Sequence, residues 1–264
     1  MRPQVPARAR AASTVATVAS VQQVTPRMTR VRLIGDSLAH LAAVPGQTLK
    51  IYVPDLVSAS PVSRDYTVRD YDPARPSLDI DFVLHGKGPA ADWARQARPG
   101  EVLEFIGPSG RYRPDPHADW HLFAGDETAL PAIQAYVAML PADARAFLYI
   151  EIADAAEQQP MPGVAAPTLH WLHREDQDPG SSTLLDDAVR AAPLPPGQGR
   201  IWLAGHTPTV RRIRAHLLNQ RGVDRRALYV KGFWDRPVTN DLAKTGAKEL
   251  GWRRGSDHGE GCVC

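Results

Sequence analysis

Cysteine is nearly absent. The chain of 264 residues has only two, Cys262 and Cys264, and such near neighbours build no disulfide framework, which suits a reducing compartment. Long apolar runs are missing too: nowhere do 18 apolar residues follow one another, and the opening MRPQVPARARAAS carries arginines without an apolar stretch of signal length. No membrane insertion is therefore expected, and a cytoplasmic location is. Nor is there an excess of one charge. The 31 Lys plus Arg stand against 29 Asp plus Glu, which removes the broad basic field that nucleic-acid binders need. No Gly-x-Gly-x-x-Gly occurs, so a dinucleotide fingerprint is not claimed. The four-cysteine pattern of an iron–sulfur protein is absent. His258 with Cys262 and Cys264 falls short of a closed four-ligand set, so no metal site is expected.

What is present is a globular composition: 43% of residues are hydrophobic and 23% charged, enough for a real core, and the length suits a barrel plus one α/β unit. Between Ser13 and Tyr112 the segments TVATVASVQQVT, MTRVRLIG, QTLKIYVP, SLDIDFVLHG and EVLEFIGPSG approach period-2 alternation and are separated by Pro, Gly and Asp turns. A closed antiparallel barrel hides the edges of such strands, here with Greek-key connections. PAADWARQA, with Pro89 suited to a first helical turn, interrupts them as a short helix. From about His117 strands alternate with helices, as in a parallel sheet covered on both faces. Leu130, Ile133, Val137 and Leu140 share a helical face, as do Val210, Ile213 and Leu217. Thr207 and Pro208 read as an N-cap and first helical residue, and Gly222 as the helix stop. The expected organisation is a tail at 1–12, a barrel at 13–116, an α/β domain at 117–240 and a tail at 241–264. Barrel followed by α/β domain is the plan of the ferredoxin–NADP reductase superfamily, and a monomer is expected.

Chemistry concentrates in a few segments. Arg64-Asp65-Tyr66-Thr67-Val68-Arg69 places an arginine, an aromatic ring and a hydroxyl on one strand, where they suit a diphosphate, a planar ring and a ring heteroatom. A surface strand with ordinary charges has the same letters. Some 20 residues on, His85-Gly86-Lys87-Gly88-Pro89-Ala90-Ala91-Asp92-Trp93 ends a strand and opens a helix, so that backbone amides near Ala90 and Ala91 are free for an anion.

These two segments, with GPSGRY, AGDETALPAI, WLAGHTPTVRRIRAHL and YVKGFW, resemble the siderophore-interacting protein family, the flavin-dependent ferric-siderophore reductases. The resemblance implies that Arg64 binds the FAD diphosphate, that Tyr66 lies against the isoalloxazine and that Thr67 hydrogen-bonds the ring. His85, Gly86, Gly88, Pro89, Ala90 and Ala91 would surround the diphosphate and ribityl chain, with Arg69 and Trp93 counted to the same site. Gly125-Asp126-Glu127-Thr128 reads by itself as a helix start with favourable acidic residues, and by resemblance as part of the nicotinamide cofactor site. Glu151 and Asp154, at the end of the next strand, would accept ribose hydroxyls and repel a 2′-phosphate, favouring NADH, whereas Arg174 would welcome that phosphate. Trp234 reads equally as core or as a ring facing the flavin. The family's Tyr-Trp-Arg is here Phe233, Trp234 and Asp235, with Arg236 one further on. Lys50, Arg111, Lys231 and Arg236 are the expected basic residues for an anionic ferric siderophore. The implied activity moves electrons from NADH or NADPH through FAD to iron(III) bound by a siderophore. The alternatives are a flavin reductase serving a partner protein or free flavin, and a siderophore-binding protein without redox activity.

Overall fold

In the computed structural model, residues 13–54, 60–84 and 88–235 are described. His85, Gly86, Arg236, His258, Cys262, Cys264 and both expected tails lie outside them. The first part comprises β1 (Thr14–Thr25), β2 (Met28–Ile34), β3 (Thr48–Val53), β4 (Val62–Thr67), β5 (Asp70–Asp72), β6 (Ser77–Val83), helix α1 (Pro89–Gln96) and β7 (Val102–Ser109). The strands form a seven-stranded antiparallel sheet in the order β4-β3-β7-β1-β2-β6-β5. Its two edges, β4 and β5, are consecutive in the chain, and the link between them closes the barrel: Val68 N–H donates to Gln47 O at 2.8 Å beside β3, while Arg69 N–H donates to Asp79 O of β6 at 2.8 Å on the other side. Alternation fills the interior with Val31, Leu33, Leu49, Ile51, Ile80, Phe82 and Phe105, all at 0% exposure. On the outer face Arg30 and Arg32 form bidentate pairs with their register partners Asp81 and Asp79.

The second part contains β8 (Trp120–Asp126), α2 (Leu130–Val137), β9 (Ala146–Ile152), β10 (Thr168–His173), α3 (Leu184–Ala191), β11 (Gly199–His206), α4 (Thr207–Asn219) and β12 (Leu228–Trp234). All five strands are parallel, in the order β10-β9-β8-β11-β12. The central β8 and β9 are buried at every residue, as strands covered on both faces must be. One face packs on Ile133 and Val137 of α2, the other on Leu185 and Val189 of α3 and Val210, Ile213 and Leu217 of α4. Leu140 is buried but lies past the end of α2. The N-cap of α4 is His206, not Thr207, because the Thr207 hydroxyl donates to the Trp234 carbonyl instead, at 2.8 Å. Gly222, at φ 64, follows the helix as its left-handed stop. Among the described residues no helix is long and apolar enough to cross a membrane.

The two sheets are joined by buried polar contacts. Glu157, 4% exposed, accepts from Thr25 Oγ1 at 2.6 Å and from Arg27 N–H at 2.9 Å. Tyr136 donates to Gly46 O at 2.7 Å, and only glycine fits at 46, where φ is 87 and a Cβ would stand 2.2 Å from the Tyr136 ring. Glu157→Gln keeps an acceptor but loses the charge, and is expected to lower stability by about 1 kcal/mol, read as a shifted urea midpoint at unchanged slope. No shift would show that this junction carries little of the folding free energy.

Candidate functional site

Between the sheets lies a cleft of about 720 Å³. The barrel lines it with Arg64 to Thr67 in succession, with Thr48, Asp81 and Val83, and with Gly88 to Ala91. The α/β part contributes Thr128, Pro131, Asp178, Pro179 and Lys231 to Asp235. One face of a strand presents alternate residues only. Here the consecutive residues Arg64 to Thr67 line the cleft, on a strand hydrogen-bonded within the sheet to β3 alone among the described residues.

Tyr66 rests on Phe82, with ring centroids 4.4 Å apart, and burial pushes its phenol up. It serves there as an apolar ring rather than as an acid. Trp93 supports this stack from behind, 5.4 Å from Phe82; it belongs to the barrel core and does not line the cleft. Arg69 is also directed elsewhere. Its Nε donates to Gln134 Oε1 at 3.1 Å and lies 3.6 Å from Asp81, so this charge joins the two sheets.

Helix α1 opens at Gly88 without a side-chain cap. Pro89 has no N–H, and the amides of Ala90 and Ala91 precede the first intrahelical donor, Asp92 N–H to Gly88 O at 2.8 Å, so they point free at the N-terminal end. A Cβ on Gly88 would meet nothing within 4 Å; its absence keeps space open beside those amides. Arg64, whose guanidinium donates, among the described residues, to Ser63 O at 2.9 Å, stands on the same cleft. An arginine, uncapped helical amides, an open glycine and an aromatic face form a donor set that fits the diphosphate and ring of FAD.

On the opposite wall the Gly125 to Thr128 turn is arranged differently from its sequence reading. Gly125 is required by packing, since a Cβ would lie 2.5 Å from Ala129 Cβ and 2.6 Å from Ala204 O. Glu127 turns away from the cleft and pairs bidentately with Arg174, Oε2 to NH1 at 2.7 Å, with the Arg174 side chain 1% exposed. Arg174 is thus closed to a 2′-phosphate. Glu151 is 5% exposed and Asp154 accepts from Ala156 N–H at 2.8 Å as the cap of a short 3₁₀ turn. Neither lines the cleft.

Burial and then the neighbouring Asp126 push the Glu151 carboxyl up to about 7, against the pull of Arg174. Because the folded value lies above the ordinary one, the stability Glu151 contributes is full below about pH 4.5 and is lost as the pH rises through about 7. Glu151→Gln is therefore expected to gain about 2 kcal/mol over the parent between pH 5 and pH 8, measured as denaturation midpoints at both pH values. A constant difference would contradict this.

Of the expected basic residues that are described, Lys50, Arg111 and Lys231, it is Lys231 that lines the cleft. Its Nζ donates to Thr48 Oγ1 at 3.0 Å and stands 5.5 Å from the Phe233 ring centre. Lys50 pairs with the cleft residue Asp65 at 3.0 Å on the exposed rim, while exposed Arg111 lies apart from the cleft lining. Trp234 does line it, and its Nε1 donates to Asp126 Oδ2 at 2.9 Å. Sequence reasoning missed His206 at the end of β11, whose ring is 4.7 Å from that of Trp234, and the Asp178-Pro179 segment. The signal for His206 is a second strand-to-helix turn, Gly205-His206-Thr207-Pro208, which repeats the placement of Gly125-Asp126.

Comparison with known proteins bears on this site. Residues 118–237 match the siderophore-interacting protein model, and residues 56–112 match the siderophore-interacting FAD-binding domain model. An uncharacterized protein of Mycobacterium tuberculosis is 36% identical over 216 residues, 77% of this chain and 76% of its own. Ferric vibriobactin reductase ViuB of Vibrio cholerae is 31% identical over 237 residues, 81% of this chain and 86% of its own. The crystal structure of a siderophore utilization protein from T. fusca superposes with a TM-score of 0.80 at 34% identity, covering 87% of this chain and 95% of that one. The ferredoxin reductase in carbazole 1,9a-dioxygenase, at 20% identity and a TM-score of 0.67 over 88% of this chain and 71% of that one, shares the fold alone. With its antiparallel barrel, its parallel α/β sheet and a cleft between them that fits FAD, the chain belongs to the siderophore-interacting protein family.

Proposed function

We propose that the chain is an FAD-dependent ferric-siderophore reductase that draws electrons from NAD(P)H, with the FAD half at 13–116 and the nicotinamide half at 117–240. The observation that carries this reading is the cleft itself: Arg64, Tyr66, Thr67 and the α1 amides on one wall face Thr128, Lys231 and Trp234 on the other. A flavin supplies the exchange between a two-electron donor and a one-electron acceptor. The chain's own residues bind and orient. Arg64 and the amides of Ala90 and Ala91 hold a diphosphate, Tyr66 offers a ring face, and Thr67 offers a hydroxyl. Iron(III) is held strongly by the hard oxygen donors of a siderophore and iron(II) far more weakly, so reduction releases it. On this reading the protein needs no iron ligands, only an open side to its cleft, where Lys231 on the wall and Lys50 on the rim attract an anionic chelate.

NADH is the favoured donor. This preference rests on Arg174 being closed by Glu127, and not on Glu151 and Asp154, which are directed elsewhere. The test is an anaerobic titration of the flavin with NADH and NADPH, followed by catecholate, hydroxamate and carboxylate ferric chelates with an iron(II) trap. Faster reduction by NADH and trapped iron(II) are expected. A flavin reduced by NADH that passes electrons only to a partner protein or to free flavin would replace this reading with a general reductase. A colourless protein that binds ferric chelates would make it a carrier. Lys50→Glu is expected to raise the apparent KM for an anionic chelate several-fold, most at low salt, with flavin reduction unchanged. An unchanged KM and salt dependence would remove Lys50 from the acceptor site.

A further inference from the structure

The chain runs outward from β8 through β9 to β10 on one side of the parallel sheet and from β11 to β12 on the other. The carboxyl ends of β8 and β11 therefore flank a switch point, where open α/β sheets take their ligands. The floor of that crevice is the side chain of Asp126, 5% exposed. Its Oδ1 accepts from Thr128 N–H at 2.9 Å and from the Thr128 hydroxyl. Its Oδ2 accepts from His206 N–H at 2.7 Å and from the Trp234 indole at 2.9 Å. Trp234 is thereby drawn over the crevice, against the His206 ring, with its carbonyl held by Thr207. Two glycines make room for this arrangement. At Gly205, φ 124, a Cβ would stand 2.5 Å from Asp126 Oδ2, and at Gly232 it would stand 2.5 Å from Thr207 Oγ1.

A carboxylate oxygen with two donors has used both lone pairs, so Oδ2 is full while Trp234 is in place. We propose that Asp126 is a positioning residue that exchanges donors: it holds the Trp234 indole over the crevice in the free protein and releases it when a nicotinamide nucleotide supplies a ribose hydroxyl or carboxamide N–H in its stead. The proposal rests on the reading of residues 117–240 as the nucleotide half. Nucleotide binding then includes the loss of the Trp234–Asp126 hydrogen bond, and affinity rises when that bond is removed beforehand.

Trp234→Phe keeps an aromatic ring and deletes the N–H. With FAD-loaded protein, calorimetric titration of this variant with NADH under anaerobic conditions, or with NAD⁺, is expected to give three- to tenfold tighter binding than the parent. In ¹⁵N spectra of the parent, the indole resonance that is missing from Trp234→Phe is expected to move as NAD⁺ reaches saturation. In the nucleotide-free protein, Asp126→Asn, which keeps an acceptor oxygen, is expected to hold that resonance near its parent position. Equal or weaker nucleotide binding by Trp234→Phe, or an indole resonance unmoved at saturation, overturns the donor exchange and leaves the reductase reading standing. If neither protein binds a nicotinamide nucleotide, the reductase reading falls and the exchange with it.

Discussion

Arg64→Ala is expected to weaken FAD binding by on the order of 1.5–3 kcal/mol, roughly 10- to 150-fold, while leaving the fold intact. The guanidinium is a cleft-lining cation, and its contact within the chain is to the neighbouring Ser63 carbonyl. Removing it is therefore expected to take a charge-assisted contact from the cofactor and little from the protein. Titration of apoprotein with FAD, followed by flavin fluorescence, measures the affinity, and the far-ultraviolet dichroism of both proteins is the control. Full retention of FAD by Arg64→Ala would mean that the diphosphate lies elsewhere, and the assignment of Ala90 and Ala91 would have to be re-examined with it.

Glu127→Ala is expected to destabilise the protein by about 3–5 kcal/mol, because it leaves a buried guanidinium without its partner. Arg174 Nε already lacks a hydrogen-bond partner, and the side chain is 1% exposed, so water reaches it poorly once the bidentate pair is gone. The carboxyls of Glu151 and Asp126 are close enough to act on Arg174, and they hold the loss to that range. In a chain of this size such a change lowers Tm by roughly 6–20 °C. The double variant Glu127→Met with Arg174→Met is expected to recover most of the loss, since well-packed apolar pairs replace buried ion pairs at little cost. A single variant within 1 kcal/mol of the parent would show that the pair is not a major support of the link between the carboxyl ends of β8 and β10.

The periodicity of the chain carried the architecture. Period-2 alternation in TVATVASVQQVT and SLDIDFVLHG became β1 and β6, and the apolar runs WHLFAG and AFLYIEIA became the fully buried β8 and β9. The barrel wall of the cleft was legible for the same reason: Arg64 and Tyr66 share one strand, the Gly88-Pro89-Ala90 turn follows some 20 residues on, and both segments line one cleft in space. The wall from the α/β part was much less so. Glu127, Glu151 and Arg174 come from the ends of separate strands, and which carboxylate meets the guanidinium depends on side-chain reach across parallel neighbours. Likewise, nothing in the letters of Arg69 tells that Gln134, on a helix of the other sheet, takes its Nε donor.

What the sequence by itself determined is therefore what depends on near neighbours along the chain: strand and helix placement, the uncapped start of α1, and the glycines and prolines that turn the backbone. Tertiary structure alone decided how the charges were spent. Lys50 meets Asp65, Arg174 is closed by Glu127, and Asp126 collects His206 and Trp234. The physical reason is that a buried or cleft-side charge takes the nearest complementary group in space, and in a strand–helix–strand fold that group stands tens of residues away in the chain.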